Sequence, residues 1–145
     1  AGVFLVVGIT ALYFAAHGAL DEREWCLLIE AYDRAGQYEK ALSVCRDAMQ
    51  KFPDYWEVHF LAGIVSCSLK EYETAITYFE NAGEMGTPFC DEKYQIAWCY
   101  RQLERFEDAY QIYLDIADVH RKNGYDIEAE QALGYAKEIE DKIEK

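Results

Sequence analysis

A spacing of 34 residues constrains this chain more than any other feature. Trp25, Leu28, Tyr32, Tyr38, Ala41, Cys45 and Ala48 return 34 positions later as His59, Ala62, Ser66, Tyr72, Ala75, Phe79 and Ala82. They return again as Lys93, Ile96, Tyr100, Phe106, Ala109, Tyr113 and Ile116. The best-kept columns are an aromatic residue (Tyr38, Tyr72, Phe106) and an alanine three positions on (Ala41, Ala75, Ala109). Small residues at those alanines let two helices approach closely, and the aromatic fills the space beside them. A helical pattern with this period describes a solenoid, in which each unit buries its apolar face against the next.

Each unit reads as helix, turn, helix. In the first, Trp25, Leu28 and Tyr32 lie on one face of a helix, with Glu22 and Glu24 in its first turn, where negative charge suits the helix dipole. Gly36 interrupts the pattern and can take the positive φ of a helix end. Tyr38, Ala41, Cys45 and Ala48 share a face of the second helix, which Pro53 stops. After Asn123-Gly124, Asp126 is placed to cap a last helix through Glu144. Its apolar face would be Ile127, Ala132, Leu133, Ala136, Ile139 and Ile143, and Glu138 and Lys142 are spaced as an i,i+4 pair. One wet and one apolar face suit a helix capping the end of the solenoid.

Composition narrows the function. With 27 acidic against 14 basic residues, the chain carries a formal net charge of −13. Such a surface repels phosphate backbones, which argues against nucleic acid as a partner and favours a basic one. Its plainer use is to keep helix faces solvated. Five cysteines without a Cys-x-x-Cys pair argue for reduced thiols in a cytosol-like compartment rather than a disulfide framework or zinc site. No phosphate loop, GxSxG or HExxH occurs. These residues predict no catalytic centre, no cofactor and no metal.

The three units resemble the tetratricopeptide repeat. The first has Trp25, Leu28, Tyr32, Gly36, Tyr38, Ala41, Ala48 and Pro53 in register with that family's pattern, and departs from it at Ile29 and Cys45. The second restores both positions with Gly63 and Phe79 but lacks the tryptophan, turn glycine and proline. The third keeps Ala97, Tyr100, Phe106, Ala109 and Tyr113. The resemblance implies an all-α helix-turn-helix solenoid of three repeats (22–55, 56–89, 90–122), a right-handed superhelix closed by a capping helix over 123–145.

The resemblance also implies a concave groove lined by the first helix of each repeat, where partner peptides lie. Carried over, its positions are Arg23, Cys26, Glu30, Asp33 and Arg34, then Glu57, Phe60, Ile64, Cys67 and Ser68, then Asp91, Tyr94, Trp98, Arg101 and Gln102. Phe60, Ile64, Tyr94 and Trp98 would form an apolar centre, with Glu30 and Asp33 as an acidic rim. The site expected to bind a partner is therefore Cys26, Glu30, Asp33, Phe60, Ile64, Cys67, Tyr94, Trp98 and Arg101. The competing role for Phe60 and Ile64 is packing against a neighbouring helix. A subset of the family grips C-terminal carboxylates with Lys and Asn at positions held here by Cys26 and Glu30; Glu30 would repel a carboxylate, so that use is excluded. Neighbouring acids would make Cys26 and Cys67 less reactive, and Cys45 reads as a packing residue.

Residues 1–20 contain no Asp, Glu, Lys or Arg, and residues 3–16 are apolar on all sides. Two readings compete for this N-terminal stretch (1–21). One is an apolar helix covered by the groove or by a second copy of the chain; the other is a membrane anchor. The first suits a cytoplasmic protein-binding module, and the second a membrane-tethered assembly factor with its repeats in the cytoplasm. Size, acidity and repeat number also resemble the small chaperones that hold hydrophobic secreted proteins.

Overall fold

The computed structural model describes residues 20–143. Among them the chain is all-α, in the solenoid arrangement that the repeat predicts. Its helices are α1 (Glu22–Arg34), α2 (Tyr38–Lys51), α3 (Trp56–Ser68), α4 (Tyr72–Glu84), α5 (Asp91–Gln102), α6 (Phe106–Lys122) and α7 (Asp126–Ile143). A short 3-10 turn, Pro88–Cys90, precedes α5. Each helix packs on the one before it, and α1 also packs on α3. The apolar stretch over residues 1–19, with the two readings it carries, lies outside the described residues. Among those residues no helix is long and apolar enough to cross a membrane.

The turns explain how the pattern survives without its glycines. Within each pair, the chain leaves the first helix through a left-handed residue: Gly36 (φ 70), Lys70 (φ 62) and Glu104 (φ 58). Gly124 (φ 80) does the same between α6 and α7. At all four, the following N–H donates to a carbonyl five residues back: Gln37 to Tyr32, Glu71 to Ser66, Arg105 to Tyr100 and Tyr125 to His120, each at 2.9 Å. That bond satisfies a carbonyl the helix end would otherwise orphan, and it holds the αL conformation even where the side chain resists it. The chain thus keeps the turn geometry at Lys70 and Glu104 at a cost of about 1–2 kcal/mol each.

A second periodic feature concerns volume. Ile29, Gly63 and Ala97 occupy one column, and Cys45, Phe79 and Tyr113 the column facing it. Ile29 and Cys45 are buried, as are Ala97 and Tyr113. In the second repeat a Cβ on Gly63 would lie 2.5 Å from Phe79 Cε1, so the bare helix backbone is what the Phe79 ring rests on. A large residue on one helix is matched by a small one on its neighbour, as close packing demands. The departures at Ile29 and Cys45 are therefore one compensated exchange.

Three buried clusters follow one another along the stack. Ile29, Leu42, Cys45 and Val58 centre the first, Ile76, Phe79, Ile96 and Cys99 the second, and Tyr113, Ile116, Ala132 and Ile139 the third. The start of α1 carries a reciprocal cap: Asp21 Oδ1 accepts the Glu24 N–H at 2.8 Å, and the Asp21 N–H donates to Glu24 Oε2 at 2.9 Å. Three expectations for α7 change. Asp126 is its first helical residue rather than its cap. Ile127 is 73% exposed, and Ala129 takes its place on the buried face. Lys142 lies over the Phe106 ring, 5.3 Å from its centroid. Ala129, Ala132, Ala136 and Ile139 recur at three and four, the spacing of one helical stripe, and Ile127 falls off it.

Candidate functional site

The first helices of the three pairs expose a two-lobed groove. Its smaller lobe, about 530 Å³, is bounded by Arg23, Cys26, Leu27 and Glu30 of α1, by Tyr55, and by Trp56, Glu57, Phe60 and Leu61 of α3. The larger, about 980 Å³, runs from Ile64, Cys67 and Ser68 of α3 across Asp91, Tyr94, Gln95 and Trp98 of α5. Its far wall is Phe89, Tyr113 and His120, and then Glu128, Gln131 and Tyr135 of α7. Asp91 borders both lobes.

The expected residues divide between these spaces. Cys26, Glu30 and Phe60 line the smaller lobe, and Ile64, Cys67, Tyr94 and Trp98 the larger. Asp33 joins Glu30 and Ile64 in a third, smaller cleft between α1 and α3, and its Oδ1 accepts the Ser68 hydroxyl at 3.1 Å. Arg101 lines neither lobe. It occupies the last turn of α5, while the larger lobe turns away from that end of the helix toward α7.

Packing and groove-lining are not alternatives at Phe60 and Ile64. Both are half-buried against the second core cluster, and the Phe60 ring meets Phe79 edge-on at 5.3 Å. These side chains are the floor of the groove and the roof of the core at once. Trp98 is 39% exposed and stands edge-on to Tyr72, with centroids 5.7 Å apart. That contact holds the indole upright beside the larger lobe.

The groove positions of the repeat do not reveal the far wall. Tyr94, Tyr113 and Tyr135 form one aromatic cluster, with Tyr113 and Tyr135 centroids 5.4 Å apart and Tyr94 6.3 Å from Tyr113. The buried His120 ring extends it, 6.3 Å from Tyr94. Burial, reinforced by Cys90 and the neighbouring tyrosines, pushes the Tyr94 phenol above its ordinary pKa and keeps it neutral. The available signal was aromatic: Tyr135 interrupts an otherwise Glu- and Lys-rich helical stretch.

The groove thiols differ. Burial, then Glu57 and Glu30, push Cys26 up to about 11, as the acidic surroundings led one to expect. Cys67 departs from that expectation. Its Sγ lies 3.5 Å from Cys99 Sγ, and the hydrogen bond from Cys99 holds the Cys67 thiol below its ordinary pKa. Cys99 is fully buried and is pushed up. Cys45 is buried and pushed up to about 12 by burial, as befits a packing residue. Among the described residues no group of three His, Cys, Asp or Glu is placed to hold a metal ion.

A stack of antiparallel helix pairs with one exposed inner face defines the class of helical-repeat solenoids. Comparison with known proteins specifies the kind. The family model described as a tetratricopeptide repeat matches residues 22–65. Superkiller complex protein 3 of Homo sapiens is 30% identical over 70 residues, which are 48% of this chain and 4% of that protein. The chain thus spans a small fraction of that relative. Solved structures of MamA share the fold. One from MSR-1 is 17% identical, with a TM-score of 0.60 over 97% of this chain and 88% of that one. An RS-1 double mutant is 16% identical, with a TM-score of 0.66 over 97% and 86%. Another, from Desulfovibrio magneticus RS-1, is 16% identical, with a TM-score of 0.57 over 84% and 77%. Residues 22–65 thus match the tetratricopeptide repeat, and the described residues share the helical-repeat fold of these structures.

Proposed function

We propose that this chain is a non-enzymatic binding module whose two-lobed groove takes an extended or helical segment of a partner protein. The observation that carries this reading is the make-up of the larger lobe. It presents Ile64, Tyr94, Trp98 and Tyr135 to solvent beside Asp91 and Glu128, and among the described residues no Lys or Arg lines it. Aromatic side chains offer large contact areas at low entropic cost, and carboxylates beside them select for positive charge. The partner segment therefore carries apolar anchors next to Arg or Lys. The smaller lobe, with Leu27, Trp56 and Phe60 above Glu30 and Glu57, accommodates a second anchor of the same kind.

Selection of peptides from an unbiased library tests this. Peptides recovered on the wild-type protein should be rich in apolar and basic residues. Tyr94→Ala/Trp98→Ala should weaken them by about 2 kcal/mol or more, roughly thirtyfold, as loss of aromatic hot spots does. Affinity should also fall as salt is raised. Equal binding by the double variant would overturn the groove assignment.

A further inference from the structure

We infer that Cys67 is a peroxide-oxidisable thiol and that Cys99 resolves it into an intramolecular disulfide joining α3 to α5. The two sulfurs lie 3.5 Å apart across neighbouring repeats. A disulfide needs about 2.05 Å, so a closing movement of about 1.5 Å suffices. The two thiols hold different positions. Cys67 lines the larger lobe and is open to a small solute, whereas Cys99 is fully buried behind it. An accessible thiol backed by a buried one is the arrangement that separates an attacking from a resolving cysteine. The lowered pKa of Cys67 agrees with this division, since the thiolate is the nucleophile.

In the first step the Cys67 thiolate attacks one oxygen of hydrogen peroxide. A sulfur–oxygen bond forms, the oxygen–oxygen bond breaks, and hydroxide leaves to be protonated to water. In the second, Cys99 Sγ attacks Cys67 Sγ. The sulfur–sulfur bond forms, the sulfur–oxygen bond breaks, and the departing hydroxide takes up the Cys99 proton as water. The two thiols together lose two electrons, and one peroxide becomes two waters. Because Cys67 belongs to the groove wall, the bond draws α3 and α5 together beside Trp98 and Ile64.

The test uses the full chain, hydrogen peroxide, and tryptic mapping after free thiols are blocked. Cys67 falls in the peptide 52–70 and Cys99 in 94–101, and neither peptide contains another cysteine. The expected product is these two peptides joined. In the untreated native protein, iodoacetamide should alkylate Cys67 about tenfold or more faster than Cys26 and Cys45. Cys99→Ala should leave Cys67 as a sulfenic acid that dimedone traps, and Cys67→Ser should abolish both products. Should Cys99→Ala fold poorly, the wild-type map and the alkylation rates still decide. Joining of Cys67 to Cys26, Cys45 or Cys90, joining between chains, or alkylation of Cys67 no faster than of Cys26 would overturn the inference.

Discussion

Gly63→Ala tests the compensated packing of the second repeat directly. A Cβ at this position would lie 2.5, 2.7 and 2.8 Å from Cε1, Cδ1 and Cζ of Phe79. Carbon atoms prefer about 3.5–4.0 Å, so the ring must retreat by about 1 Å. It has little room to do so, because Phe79 is fully buried and its edge meets Phe60. Overpacking of this kind costs about 1–3 kcal/mol. Alanine gains back about 1 kcal/mol of helix propensity. The net expectation is a loss of about 1 kcal/mol, with a range of roughly 0–2. In a Phe79→Leu background the clash is relieved, and the same substitution should stabilise by about 1 kcal/mol. Urea unfolding of the four proteins in this cycle measures the coupling, expected at about 1–3 kcal/mol. If Gly63→Ala stabilises the wild type as much as it stabilises Phe79→Leu, the ring does not rest on the backbone and the packing argument fails.

Lys70→Gly and Glu104→Gly remove strain at two left-handed turn residues but loosen the unfolded chain, so each should stabilise by up to about 1 kcal/mol. Gly36→Ala should do the opposite in the same unfolding assay; a loss from either glycine variant would show that these turns are unstrained. Glu92 is buried with Cγ beneath Gly83, and Oε2 has no hydrogen-bond partner among the described residues. Burial holds its pKa above the ordinary 4.5, so the folded state binds this proton more tightly than the unfolded one. Its contribution is greatest below pH 4.5 and is lost as pH rises through the raised folded value. Glu92→Gln should therefore gain on the wild type as pH rises from acidic to neutral, measured as stability against pH, and a difference independent of pH would refute this.

The sequence carried the fold because its determinants are local and repeated. Helix faces are written in spacings of three and four, and the tight turns in positions 34 residues apart. Even Lys70 and Glu104, which hide the turn to a search for glycine, keep their place in the period. Phe60, Ile64, Tyr94 and Trp98, expected on the inner face of the first helices, line the two lobes. The groove was not legible at Arg101, since spacing assigns a face of the helix but not how far along it the cavity extends.

By itself, then, the sequence determined the repeat, the helix pairs and the inner face, all of which follow from periodicity within single helices. The tertiary structure alone decided what closes that face. Tyr113, His120 and Tyr135 reach the larger lobe because α6 and α7 fold back beside α5. The 3.5 Å approach of Cys67 to Cys99 depends on how one repeat is set against the next. Both are contacts between helices, and no spacing within a helix encodes the distance between two of them.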